Sequence, residues 1–135
     1  MTDRPTLHAY LSYRDAPLGL DWLRAVGFEV VARQDADDNR VAHAEVRYGD
    51  VVVMLATAGE DYDVPTRKGS SVGGGLYMWL PTSEEVDDWH ARAVTAGAEA
   101  ILAPEDTEWG TRRARVLDPE GHEWSVGTYR PGAGW

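Results

Sequence analysis

The chain contains no cysteine, which removes a disulfide framework, a thiolate metal site and a cysteine nucleophile together. Basic residues are short: Lys+Arg number 13 against 23 Asp+Glu, a net charge of −10. Nucleic-acid binding needs phosphate-neutralising groups, so this balance argues against it, and the field favours cations at long range. No apolar run approaches the ~20 residues that span a bilayer, and no Lys/Arg-led apolar leader is present. The expectation is a soluble, cytoplasmic protein with neither nucleic acid nor membrane as partner. Phenylalanine is almost missing, at 1 against 6 Trp and 6 Tyr. Rings with a polar handle suit a half-wet pocket wall or interface better than a simple core. The Gly-rich stretch ending at Gly75 has no Gly-Lys-Ser/Thr or GxGxxG pattern, so it is a connector and not a phosphate loop.

At 135 residues the chain fits one domain. Leu7 to Tyr13 reads as a strand. Asp15 is an N-cap with Pro17 just inside, and Leu18, Trp22, Leu23 and Val26 recur at helical spacing before Gly27. Strands follow at Phe28–Arg33, Val41–Tyr48 and Val51–Ala56, the last two joined at Gly49-Asp50. The order then repeats. Leu76–Leu80 is a strand, Thr82 and Glu85 open a helix as a capping box, and Gly97 closes it. Ala98–Leu102, Thr111–Leu117 and Glu123–Tyr129 complete the set. Asp21-Trp22 with Ala25-Val26 echo half a chain later as Asp88-Trp89 with Ala93-Val94. The unit βαβββ is thus used twice: module one covers about 5–57, a linker about 58–74, and module two about 75–130.

This tandem pattern, with six residues between His8 and Asp15, Gly27-Phe28 after the first helix and a closing Asp118-Pro119-Glu120-Gly121-His122-Glu123-Trp124, resembles the vicinal oxygen chelate superfamily. That superfamily includes glyoxalase I, the bleomycin-resistance proteins and extradiol dioxygenases. The resemblance implies an α+β fold in which two βαβββ modules curl mixed sheets into a ligand cup, with helices on the outer face. It also implies a homodimer, which would cover the exposed strand edges. Metal-dependent relatives place ligands at four strand positions, which fall here at His8, near Met54, near Gly75 and at Ser125. Met, Gly and Ser are poor substitutes for His and carboxylate, so no cofactor is expected. A divalent metal on His8, His43 and Glu45 is the alternative.

Strand parity outlines the cup. With Gly49-Asp50 as a two-residue turn, Ala42, Ala44, Val46, Val53 and Leu55 share an apolar, helix-facing side. His43, Glu45, Arg47 and Met54 lie on the other side, with His8 and Tyr10. In module two, Tyr77 and Trp79 share the parity of Gly75, and Arg113 and Arg115 lie opposite Ser125. Trp109 either overhangs the cup mouth or covers the end of the core. His43 and Glu45 also read as a cross-strand pair that satisfies itself, His122 as a surface or capping residue, and Trp22, Trp89 and Trp124 as core.

These residues favour a metal-independent binder resembling the bleomycin-resistance proteins, sequestering an aromatic, neutral or cationic compound and so conferring antibiotic resistance. Tyr77 and Trp79 would stack the ligand and Glu45 would pair its charge. Arg47, Arg113 and Arg115 offer the opposite choice, a carboxylate. The competing readings are a glyoxalase-type metal-dependent lyase, isomerase or dioxygenase, and an accessory protein that acts by pairing with another chain.

Overall fold

Asp15 starts the first helix, α1 (Ala16–Ala25), by accepting the Leu18 N–H at 3.1 Å, and a proline sits in the opening turn. Gly27 ends it with φ of +112°. Its N–H and that of Phe28 reach back to Arg24 and Leu23, a Schellman closure. A side chain at Gly27 would also strike the Tyr48 ring, 2.7 Å from its first carbon. Thr82 repeats the start for α2 (Ser83–Thr95), accepting the Glu85 N–H at 3.1 Å. The second helix has 13 residues against 10, and the echoed letters slip by one residue between Asp21-Trp22 and Ala25-Val26.

The computed structural model describes residues 3–66 and 69–134; Arg67 and Lys68 of the connector lie outside that range. Module one supplies β1 (Ala9–Tyr13), β2 (Glu29–Asp35), β3 (Val41–Tyr48) and β4 (Val51–Thr57), and module two supplies β5 (Leu76–Trp79), β6 (Glu99–Asp106), β7 (Arg112–Leu117) and β8 (Glu123–Gly127). They form two four-stranded mixed sheets, β1-β4-β3-β2 and β5-β8-β7-β6, with β1 parallel to β4 and β5 parallel to β8. The expected α+β fold of tandem βαβββ modules is therefore present, as two sheets that do not join into one within the chain.

Parity holds with one correction. Ala44, Val46, Val53 and Leu55 are buried as expected, but Ala42 is exposed and Val41 takes its place. The pairing of β2 with β3 slips between Gln34–His43 and Asp35–Val41. A bulge there inserts one residue and inverts the facing of what precedes it.

Trp22 on α1 joins the modules, edge-on to Trp89 of α2 at 6.1 Å and tilted against Trp124 of β8 at 5.8 Å. Its indole N–H is donated to the Ala93 carbonyl at 3.1 Å. Such ring pairs add about 0.5–1.5 kcal/mol beyond the area they bury.

The second tie is polar. Asp118 is fully buried, and its Oδ1 accepts the Glu120 and His122 N–H groups at 3.0 Å each. Its Oδ2 accepts the Tyr13 hydroxyl at 2.7 Å and the Trp124 indole at 3.3 Å. Glu120 accepts the Arg14 and Asp15 N–H groups at 2.6 and 2.8 Å, and His122 Nε2 lies 2.9 Å from the Ser12 carbonyl. His122 is therefore an inter-module contact, not a surface residue. The closing turn grips the junction of β1 and α1. Tyr13, desolvated and beside Asp118, is held neutral, its pKa well above the usual tyrosine value.

Asp118→Ala strands two backbone N–H groups, a buried hydroxyl and an indole. It should cost about 2–4 kcal/mol, read as a lower urea midpoint with an unchanged slope. A midpoint equal to wild type would refute the role.

His90 on α2 has a buried Nε2 with no hydrogen-bond partner among the described residues. Burial lowers its pKa, against a smaller upward pull from Asp87. The unfolded chain therefore takes up a proton near pH 6.5 that the folded chain resists, so stability falls as pH drops below about 6.5. His90→Gln should flatten the stability profile between pH 7 and 5, measured by urea unfolding at each pH. Parallel profiles for variant and wild type would contradict this.

Candidate functional site

A cavity of about 940 Å³ opens on the polar face of the second sheet, within the size range of small-molecule sites. Its floor comes from β5, β7 and β8, through Tyr77, Arg113, Arg115 and Ser125. Tyr77 faces Ser125 across β5–β8, and Arg115 faces Ser125 across β7–β8. One wall is the connector, Ser71 and Gly73 to Gly75, and the rim carries Trp109 and Tyr129.

Each part has a local cause. Trp109 sits on the turn between β6 and β7, which Thr107 closes by donating its N–H to the Thr111 carbonyl at 2.8 Å. The ring is 62% exposed and lines the cavity, so it overhangs the mouth. The connector is pinned by the buried Glu123, whose carboxylate accepts the Ser71 hydroxyl at 3.0 Å and the Val72 N–H at 2.9 Å. Gly75 lets the backbones meet, since a side chain there would begin 2.7 Å from the Glu123 carbonyl. Tyr77 donates its hydroxyl to the Tyr129 carbonyl. Burial of that hydroxyl raises its pKa, against a downward pull from the same hydrogen bond, and it stays neutral.

The three arginines of the lining differ. Arg112 is paired with Asp87 at 2.6 Å and Asp106 at 3.0 Å. Arg113 gives Nε and Nη2 to one oxygen of Glu105, at 3.0 and 2.8 Å. Arg115 donates Nε to Ser125 Oγ at 2.9 Å, and its nearest carboxylate, Glu123, stands 3.7 Å off.

The remaining expected site residues lie elsewhere. His8, Tyr10, His43, Glu45, Arg47 and Met54 are on module one and do not line this cavity. Register places Tyr10 beside Met54 and Met54 beside Glu45, so they share one sheet face as parity indicated. That face is open, with Tyr10 79% exposed. His43 Nε2 is 2.8 Å from Glu45 Oε2, a pair within β3 and not across strands. Trp79 has the expected parity but does not line the cavity. It ends β5, donates its indole N–H to the Thr128 carbonyl and carries the Arg130 guanidinium 4.4 Å above its ring. Sequence reading missed Glu123, although it has the parity of Ser125. It also missed the connector wall, because a Gly-rich run shows no periodicity.

A metal fits the arrangement poorly. His8 has Nε2 2.8 Å from the Thr6 hydroxyl and Nδ1 3.0 Å from the Val52 carbonyl, so both ring nitrogens are engaged. At Ser125 the neighbour is a guanidinium. Among the described residues no three His, Asp or Glu side chains gather around a common point.

Comparison with known proteins bears on the fold and the family. An uncharacterized protein of Mycobacterium bovis is 34% identical over 130 residues, covering 91% of this chain and 82% of the relative. TioX from Micromonospora sp. ML1 is 30% identical, with a TM-score of 0.68 over 96% of this chain and all of that one. The fosfomycin resistance protein FosX from Mesorhizobium loti shares the fold, with a TM-score of 0.70 over 96% of this chain and 95% of its own at 14% identity. The family model for the glyoxalase/bleomycin resistance protein/dioxygenase superfamily matches residues 7–126, and the chain belongs to that superfamily.

Proposed function

We propose that the protein is a metal-independent small-molecule binder that sequesters a planar aromatic compound in the module-two cavity, in the manner of the bleomycin-resistance proteins. The observation that carries this reading is the cavity itself. It is roomy, rimmed by Trp109, floored by Tyr77 and tethered polar groups, while of the superfamily's four ligand positions only His8 keeps a ligand type and the others fall near Met54, near Gly75 and at Ser125. Aromatic walls with a few fixed polar groups recognise a ligand without transforming it. Protection against an antibiotic and a cytoplasmic setting belong to the same reading. The likeness in fold to a fosfomycin resistance protein suits the first, and the lack of cysteine suits the second.

The working form in this reading is a homodimer. The module-one face with Tyr10, Glu45 and Met54 is open among the described residues, with Tyr10 79% exposed. Seating the partner's module two there would close the cup. Light scattering at micromolar concentration should give twice the 14.9 kDa chain mass; a species of chain mass alone would defeat the dimer.

Binding is tested with the neutral dye N-phenyl-1-naphthylamine. It should bind with a fluorescence rise, raise the melting temperature, and lose about tenfold in affinity in Trp109→Ala if stacking supplies 1–3 kcal/mol. Elemental analysis of the same dialysed protein should find well under about 0.1 divalent metal per chain. No binding, or one tightly held metal per chain, would overturn the reading.

A further inference from the structure

We infer that the cavity takes an aromatic acid, and that Arg115, positioned by Ser125, is the subsite for its anionic oxygens. This rests on the binding role proposed above and reverses the charge expected from the sequence. Net charge of −10 acts at long range and is screened beyond a Debye length of about 8 Å in physiological salt. Selection inside a cavity is made by the charges that line it.

Of those, Arg112 and Arg113 already hold carboxylates at hydrogen-bond distance. Arg115 does not. Its hydrogen bond to the neutral Ser125 hydroxyl uses Nε and leaves the two terminal nitrogens without a partner among the described residues. Glu123 stands 3.7 Å away and already accepts from Ser71 and Val72, so it offsets part of the charge without filling the donors. A guanidinium that is half-buried, held by Nε and open at its fork is preorganised for a planar oxyanion.

The internal repeat sharpens the point. Glu45 faces Met54 in module one, and Arg115 faces Ser125 at the corresponding place in module two. At Ser125 a neutral hydroxyl is bonded to a cation, which disfavours a metal and favours an anion.

Two dyes with one aromatic body separate the claims. 1-Anilinonaphthalene-8-sulfonate carries an anionic group that N-phenyl-1-naphthylamine lacks. Fluorescence titration of the full-length protein should give at least about tenfold tighter binding of the sulfonate at low salt, a gap that narrows as salt rises. In Arg115→Gln the ratio should fall to near one. Ser125→Ala, which frees the guanidinium without removing its charge, should give an intermediate ratio and serves if Arg115→Gln does not fold. Equal affinities in the wild type, or a gap that survives Arg115→Gln, would overturn the anion subsite while leaving the aromatic site standing. Failure of both dyes would overturn both.

Discussion

A single buried carboxylate holds the two halves of this molecule in register. Asp118 is wholly out of water and therefore needs every lone pair engaged. Two backbone N–H groups, the Tyr13 hydroxyl and the Trp124 indole engage them. Tyr13 belongs to module one and the other donors to module two. The closing turn therefore completes its hydrogen bonds only when β1 is docked. Glu120 and His122 extend the grip to Arg14, Asp15 and Ser12. The position of β8, and with it Ser125 and Glu123, follows from this turn.

Duplication explains what the site became. Two copies of one βαβββ unit place the same positions on two sheets, and divergence gave the copies opposite character. Module one holds His43, Glu45 and Met54 on its open face. Module two holds Arg113, Arg115 and Ser125 on the floor of a cavity. The modules meet through Trp22, Trp89 and Trp124, so the polar faces are left for ligand or partner. This division makes a cup shared between copies a natural use of both surfaces.

The fold was largely legible because its signals are local. The caps at Asp15 and Thr82, the closing glycines Gly27 and Gly97, and the alternation along β3 and β4 are each set by neighbours in sequence. Only Ala42 broke the pattern, since a bulge depends on the paired strand and leaves no mark in its own residues. The site was half legible. Parity put Tyr77, Arg113, Arg115 and Ser125 on one face, and they do floor the cavity. It also put Trp79 there, because parity says which side a residue takes and not where the cavity ends. Placing module one's residues in the same cup required knowing how the sheets sit relative to one another, which is long-range packing. The same holds for the connector, fixed by Glu123 from a distant strand.

In the proposed dimer, module one of a second copy completes the module-two cavity. Tyr10 lies outside the cavity of its own chain, so it can influence binding only across an interface. Affinity for N-phenyl-1-naphthylamine should fall in Tyr10→Ala as well as in Trp109→Ala. Unfolding and refolding the two variants together should restore tight binding to about a quarter of the cups, because half the dimers are mixed and one cup in each carries neither lesion. Wild-type affinity in Tyr10→Ala, or no recovery in the mixture, would contradict the account.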